Sequence, residues 1–325
     1  MADSPPRVNP FTILANTAVL LGVAAAMLFV FPAAGYADDV RDGQWHLDYL
    51  NATGAHEISR GNGVTVAVVD AGVDHTHPDL KDAVLEGQSF AGGRRDGRQD
   101  ATGHGTAMAS LIAGRGHGPS HRNGVLGIAP AAEILPVRVK SGSSERNDAR
   151  TLERGIDWAV EHDADIISIA LTDIDDPYTE EAINNALDNN VVVVAGVGNT
   201  ANGDTDVRWP ARYPGVIAVS GVNRSGEFTD ASTSGRQVVI SAPATNIPAA
   251  TTRGSQRYAA WTGTSAATAL VAGTAALVKA EHPDLDAANI INRLIATADD
   301  QGPDGRDPKY GYGIVDPVAA LTRDV

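Results

Sequence analysis

Cysteine is absent from the 325 residues of the sequence. Disulfide bonds, thiolate zinc sites and catalysis by a cysteine nucleophile are therefore excluded. Positive charge is also scarce, because 25 Lys and Arg stand against 40 Asp and Glu and leave a net charge of −15. Such a chain repels phosphate backbones, so we expect no nucleic-acid partner. Its acidic loops offer the oxygen ligands that Ca²⁺ prefers, but no EF-hand pattern occurs.

Long hydrophobic runs are scarce too, with one exception near the N-terminus. Residues 11–31 carry no charge and are followed by the small residues Gly35 and Ala37, which stand at the −3 and −1 positions of a signal peptidase site. We therefore predict a signal peptide over 1–37 and a secreted, extracytoplasmic protein. The run of 21 residues is also long enough to span a bilayer. The alternative is an uncleaved anchor helix over 11–31, and only then is the membrane a partner.

The remainder of the chain alternates short apolar runs, rich in β-branched residues, with stretches of helical character. Continuous apolar runs separated by helices are typical of a parallel sheet covered on both faces. We predict one doubly wound α/β domain over 61–325, preceded by a short extension over 38–60. The predicted strands are 64–70, 133–139, 165–171, 191–196, 216–222 and 238–243. The predicted helices are 105–113, 148–162, 179–189, 265–281 and 286–297.

Functional residues of an open parallel sheet lie at the carboxyl ends of its strands. Asp70 ends the first predicted strand, and Asn199 closely follows the fourth. Both are therefore candidate site residues. The polar segments 88–102, 115–124 and 141–147 are predicted as loops, where specificity residues commonly lie.

Two further polar residues stand at the start of predicted helices. His104 lies between two glycines, which allow close approach of the backbone to a neighbouring element, and Ser265 opens a helix of small residues. Each candidate taken alone has an ordinary explanation. Asp and Asn form turns, Ser caps helices, and a single His is commonly structural.

Together the four residues supply the parts of nucleophilic acyl hydrolysis. That chemistry needs a hydroxyl, an imidazole that takes its proton, and a carboxylate that fixes the imidazole tautomer. It also needs hydrogen-bond donors for the oxyanion. We predict Ser265 as nucleophile, His104 as general base, Asp70 as its carboxylate, and Asn199 as oxyanion donor beside the backbone N–H of Ser265.

The motifs around these residues resemble those of the subtilisin-like serine proteases, or subtilases. Four segments resemble the family's Asp motif, His motif, oxyanion Asn segment and Ser motif, namely "DAGVDHTHPDL", "GHGTAMA", "AGVGN" and "GTSAAT". The chain order Asp, His, Ser is that of subtilisin. The resemblance covers about residues 45–322. Within the family the chain is most similar to the mycosin-type enzymes associated with type VII secretion, through "QWHLDYL" and "GVLGIAPAAEILPVRV".

The resemblance implies a secreted serine endopeptidase that cleaves peptide bonds through an acyl-enzyme. It implies a peptidase domain over 61–325, a protein or peptide substrate and a monomer. No cofactor is required for the chemistry, and a structural Ca²⁺ is compatible with the family. The segment 38–60 is too short for a folded pro-domain.

The chain departs from the family where a strand usually ends in a Ser-Leu-Gly-like sequence that pairs with substrate. Here the matching positions are Ala170, Leu171 and Thr172, which we predict to be substrate-binding. Thr in place of Gly adds a β-branched side chain where close approach is needed. This departure motivates an alternative, a catalytically impaired subtilase-fold protein that binds a peptide or partner. A membrane-anchored processing protease is a third hypothesis.

The pair His75 and His77 is the one metal-like pattern in the sequence. Alternating residues of an extended segment can chelate an ion, but a zinc site needs at least a third protein ligand. None lies nearby in the sequence, so we predict no metal site.

Overall fold

A computed structural model of the protein describes residues 40–142, 149–173, 175–252 and 257–325. The signal peptide or anchor predicted within 1–37 lies outside these residues, as does most of the predicted loop 141–147. No helix within the described ranges is both long and apolar enough to cross a membrane.

A seven-stranded sheet forms the centre of the fold, and all its neighbouring strands are parallel. The strand order is β2-β5-β1-β6-β7-β8-β9. The six predicted strands are confirmed with ends shifted by at most two residues. The seventh strand, β2, was not predicted. It occupies the first two residues of the predicted loop 88–102, so the loop prediction is wrong at those two residues. The strands are β1 (Thr65–Asp70), β2 (Gln88–Ser89), β5 (Glu133–Arg138), β6 (Ile166–Ile169), β7 (Val192–Gly196), β8 (Ile217–Val222) and β9 (Ile240–Pro243).

Helices cover both faces of this sheet, as the continuous apolar strands predicted. One core joins the sheet to the helices that begin with the His104 and Ser265 motifs, and the other joins it to the helices that precede β6 and β7. The five predicted helices are confirmed, again within two residues at each end. The helices are α1 (Trp45–Tyr49), α2 (Ala52–His56), α3 (His104–Ala113), α4 (Ala149–Glu161), α5 (Pro177–Asp188), α6 (Thr264–Glu281), α7 (Ala287–Thr297) and α8 (Pro317–Thr322).

Two antiparallel hairpins were not predicted from the sequence. The first joins β3 (Arg115–His117) to β4 (Asn123–Leu126) and replaces most of the predicted loop 115–124. The second joins β10 (Ile247–Ala250) to β11 (Tyr258–Trp261) and leads directly into α6. Their strands have three or four residues each, too few to produce a recognisable alternation in the sequence.

Helix α6 lies in the middle of the molecule and is buried along most of its length. Of the fifteen residues 264–278, fourteen are buried and Ser265 is the exception. Small side chains make this burial possible. A side chain at Gly196, for example, would place its Cβ 3.0 Å from the hydroxyls of Thr264 and Thr268. The close packing fixes the start of α6 against the carboxyl end of β7.

The strand order creates a crevice at the carboxyl end of β1. After β1 the chain adds β5 on one side and then β6 on the other, which makes β1 the point where the strand order reverses. Ligands of open α/β sheets bind at such a point. The ends of β5, β1, β6 and β7 therefore form a row along one edge.

Candidate active site

A cleft of about 360 Å³ lies at this edge. All the site residues predicted from the sequence line it, namely Asp70, His104, Ala170, Leu171, Thr172, Asn199 and Ser265. The chain brings them together from three strand ends and two helix starts.

Asp70 and His104 form a hydrogen-bonded pair in the cleft. Asp70 is the last residue of β1 and is 1% exposed. Its carboxylate lies 2.8 and 3.0 Å from Nδ1 of His104, and Oδ1 also accepts a 2.6 Å hydrogen bond from the N–H of Ala71. Because a carboxylate only accepts, the proton of His104 is on Nδ1, and Nε2 is free to act as a base.

His104 is held in place by Asp100, which sequence reasoning missed. One oxygen of the buried Asp100 accepts from the N–H groups of Thr102 and Gly103. The other accepts from both the N–H and the hydroxyl of Thr106. Asp100 therefore satisfies N–H groups at the start of α3 that have no partner within the helix. The pattern Asp-x-Thr just before the predicted helix could have identified Asp100 from the sequence.

Glycine allows α3 to reach β1. A Cβ at Gly105 would lie 2.1 Å from the carbonyl oxygen of Gly72, far inside contact distance. The predicted close approach at the glycine-flanked His104 is confirmed by this geometry. Any larger residue at position 105 would push the imidazole away from Asp70.

The pKa of His104 is raised above its ordinary value. Burial, the largest single effect, lowers this pKa because it disfavours the imidazolium. The charge of Asp70, its hydrogen bond and the charge of Asp100 all raise the pKa and together outweigh burial. The site therefore stabilises the imidazolium that forms when His104 takes a proton.

Ser265 is the second residue of α6, and its hydroxyl does not cap the helix. The N-cap is Gly263, which makes no side-chain cap. The hydroxyl of Ser265 instead donates to the carbonyl of Ala170 over 3.1 Å. Among the hydrogen bonds of the described residues none joins Ser265 to His104, although both line the cleft. Contacts of this kind are often long in the absence of substrate and tighten only when it binds.

Asn199 follows β7 and is anchored to the start of α6. Its Oδ1 accepts a 2.8 Å hydrogen bond from the N–H of Thr264. Because that N–H can only donate, the amide orientation is fixed, and Nδ2 remains as a donor toward the cleft. Gly263 makes room for this contact, since a Cβ there would lie 2.9 Å from Oδ1.

Two further cleft residues were not singled out from the sequence. The ring of Trp261, the last residue of β11, meets the ring of His104 edge-on with centroids 5.5 Å apart. Lys140 follows β5 in the same way that Asp70 ends β1. Lys140 directly follows a predicted strand, so the rule that drew attention to Asp70 could have drawn attention to it, whereas Trp261 belongs to a hairpin that was not predicted.

The His75 and His77 pair is divided between different environments. His77 is fully buried, and its Nδ1 accepts from the N–H of Asp79 while its Nε2 donates to the carbonyl of Arg257. Both nitrogens of His77 are therefore occupied by the protein. The described part of the chain contains no group of three or more His, Asp or Glu placed to hold a metal ion.

Comparisons with known proteins agree with this geometry. A model of the subtilase family matches residues 61–313. The major intracellular serine protease of Bacillus subtilis is 37% identical over 227 residues, which make up 68% of this chain and 69% of the relative. The crystal structure of MycP1 with its N-terminal propeptide removed is similar with a TM-score of 0.76 and 33% identity, covering 86% of this chain and 97% of that one. MycP3 protease from the type VII (ESX-3) secretion system gives a TM-score of 0.75 at 33% identity, over 86% of this chain and 88% of that one. The resemblance predicted from the motifs is confirmed.

Proposed function

Because the chain belongs to the subtilase family and is a subtilisin-like serine protease, we propose that it is an endopeptidase with Ser265 as its nucleophile. The observation that carries this proposal is the cleft itself. A hydroxyl, a paired imidazole and carboxylate, and a fixed amide donor all line one cavity. Each has the chemistry that one step of acyl transfer requires.

In the proposed reaction, Nε2 of His104 takes the proton of Ser265 as Oγ attacks the carbonyl carbon of the peptide bond. The resulting imidazolium is stabilised by Asp70, and the oxyanion by donors that face it. His104 then gives its proton to the leaving amine, which departs and leaves an acyl-enzyme. Water, activated by the same imidazole, hydrolyses the ester and frees Ser265 again.

Two donors are proposed for the oxyanion. One is Nδ2 of Asn199, whose orientation is fixed by the N–H of Thr264. The other is the backbone N–H of Ser265, which lies in the first turn of α6 and has no partner within that helix. The helix N-terminus adds a partial positive charge at the same point.

Replacing Asn199 with Ala should lower kcat by about a hundred- to a thousandfold while leaving KM within a few-fold. The reason is that the donor acts on charge that is present only in the transition state. Steady-state kinetics on a fluorogenic peptide would measure both constants. Asn289→Ala, at an exposed position of α7, is the matched control and should behave as wild type. An Asn199→Ala enzyme with normal kcat would exclude Asn199 as an oxyanion donor.

The protein's location follows from its N-terminal sequence rather than from its family. The relatives include an enzyme named as intracellular, so family membership alone does not decide where this chain acts. The apolar run 11–31 and the small residues before position 38 support export, with cleavage after Ala37 or retention as an anchor. The first outcome gives a released enzyme and the second a membrane-bound one.

A fluorophosphonate probe tests the activity and the location together, because it reacts only with an activated hydroxyl. The probe should label the wild-type chain, in buffer containing Ca²⁺, and should label neither Ser265→Ala nor His104→Ala. A labelled band in the medium, smaller than the full 33.7 kDa, would indicate cleavage and secretion. A full-length band that stays in carbonate-washed membranes would indicate the anchor.

No labelling of a folded wild-type chain would contradict the proposed catalysis. It would favour the alternative of a peptide-binding protein, in which Thr172 or the hydrogen bond from Ser265 to Ala170 keeps the site inactive. Binding of an uncleaved peptide, measured by fluorescence anisotropy, would then be the direct test of that alternative.

A further inference from the structure

Lys140 brings a positive charge into the cleft. It is the sole Lys or Arg among the residues that line the cavity. Within the described ranges its ammonium group makes no ion pair or hydrogen bond with the protein. In a chain with a net charge of −15, a lone cation beside the reacting groups is unexpected.

The register of the sheet directs Lys140 toward the catalytic side. The N–H of Val139 donates to the carbonyl of Asp70 over 2.8 Å, so β5 and β1 remain paired up to this point. Val139 is buried in the core beneath α4 and α5. Because successive side chains of an extended chain point to opposite faces, Lys140 lies on the other face, where α3 begins with His104.

Lys140 is close enough to influence His104. Its positive charge lowers the pKa of His104, against the larger opposing effect of Asp70. Lys140 is half-buried, and lysine side chains commonly pack their stem against the protein while the charged end stays in water.

The cleft itself offers Lys140 no carboxylate. Asp70 is the single acidic residue among those that line the cavity, and its oxygens are already taken by Nδ1 of His104 and the N–H of Ala71. Among the described residues that line the cavity, none therefore offers a free carboxylate to Lys140, and a bound molecule can supply one.

We propose that Lys140 selects substrates with an acidic side chain, Asp or Glu, close to the bond that is cut. The inference rests on the proposed function, since it concerns the substrate of the same site. Lys140 follows β5, and the proposed oxyanion donor Asn199 follows β7. Three strand spacings, or roughly 14 Å, separate these two strands. An extended peptide advances about 3.3 Å per residue. After allowing for the reach of a lysine side chain, the acidic residue stands within about three residues of the scissile bond.

The test is a set of fluorogenic peptides that differ by one Glu-to-Gln exchange at each of three positions on either side of the scissile bond. Wild type should cleave the Glu peptide with a kcat/KM about fivefold above that of the Gln peptide at one of these positions. The difference should shrink at high salt. The preference for Glu should vanish in Lys140→Met. In Lys140→Glu it should turn into a preference for peptides that carry Lys at the same position.

Lys81→Glu is the matched control, because it makes the same change of charge at an exposed position outside the cleft. It should keep the wild-type preference. Equal cleavage of Glu and Gln peptides by wild type at every position would overturn the inference and leave the proposed function intact. A preference that survives in Lys140→Met would overturn it as well. If wild type cleaves no peptide and the fluorophosphonate does not label it, the proposed function fails and this inference fails with it.

Discussion

Replacing Ser265 with Ala should lower kcat for peptide hydrolysis by about a millionfold. His104→Ala should cost about as much, and the double variant should be no slower than either single one. The reason is that the hydroxyl and the imidazole act as a unit. Without its base Ser265 is a weak nucleophile, and without the nucleophile His104 has no proton to take. Losses of this size are known for subtilisin, and the shared motifs extend the expectation to this chain.

The fold should survive the substitution of Ser265. Its hydroxyl makes one hydrogen bond, to the carbonyl of Ala170, and it is the one residue of 264–278 that is not buried. Losing such a bond costs about 1 kcal/mol of unfolding free energy. Thermal unfolding would verify the fold, and active-site titration of wild type would set the concentration for the kinetics.

Two surface substitutions serve as controls for this experiment. Ser225→Ala and His162→Ala change exposed residues outside the cleft and should retain wild-type kcat. Should Ser265→Ala retain more than about a thousandth of wild-type kcat, Ser265 is not the nucleophile. Additive losses in the double variant would show that the two residues do not act in the same step.

The row of strand ends could be predicted from the sequence because the central strands are buried on both faces. In β1 every residue from Val66 to Asp70 is buried, so the strand reads as an apolar run that ends at its first polar residue. The same pattern placed Asn199 just beyond β7. The sequence also located Ser265 near the start of α6, and the capping role that is its ordinary explanation is taken by no side chain in the structure.

The contacts between distant segments could not be predicted in the same way. Lys140 enters the cleft because β5 lies beside β1 in the sheet. The order of strands in a sheet cannot be predicted from a local sequence pattern. Trp261 reaches His104 through the β10–β11 hairpin, whose outer strand has four residues and no buried face. Asp100 is different, because its five hydrogen bonds reach no further along the chain than Thr106, and its Asp-x-Thr pattern could have been recognised.

Replacing Asp70 with Asn should lower kcat by about ten-thousandfold and leave the geometry of the site almost unchanged. The N–H of Ala71 donates to Oδ1 of Asp70 over 2.6 Å, so the oxygen of the new amide must stay there. Its NH₂ group then replaces Oδ2, which lies 2.8 Å from Nδ1 of His104. An NH₂ group donates, so Nδ1 becomes the acceptor and the proton moves to Nε2. Because Nε2 then carries a proton, His104 can no longer take the proton of Ser265 as a base.

The pH profile separates this explanation from a general loss of structure. The charge and hydrogen bond of Asp70 raise the pKa of His104 against the effect of burial, and Asn supplies neither. The pKa of His104 should therefore fall in Asp70→Asn, and the acid limb of kcat/KM should move to lower pH than in wild type. Asp82→Asn, which neutralises an exposed carboxylate outside the cleft, should leave both the rate and the acid limb unchanged. If Asp70→Asn kept its rate within tenfold of wild type, or if its acid limb moved to higher pH, Asp70 would not be the residue that sets the tautomer and charge of His104.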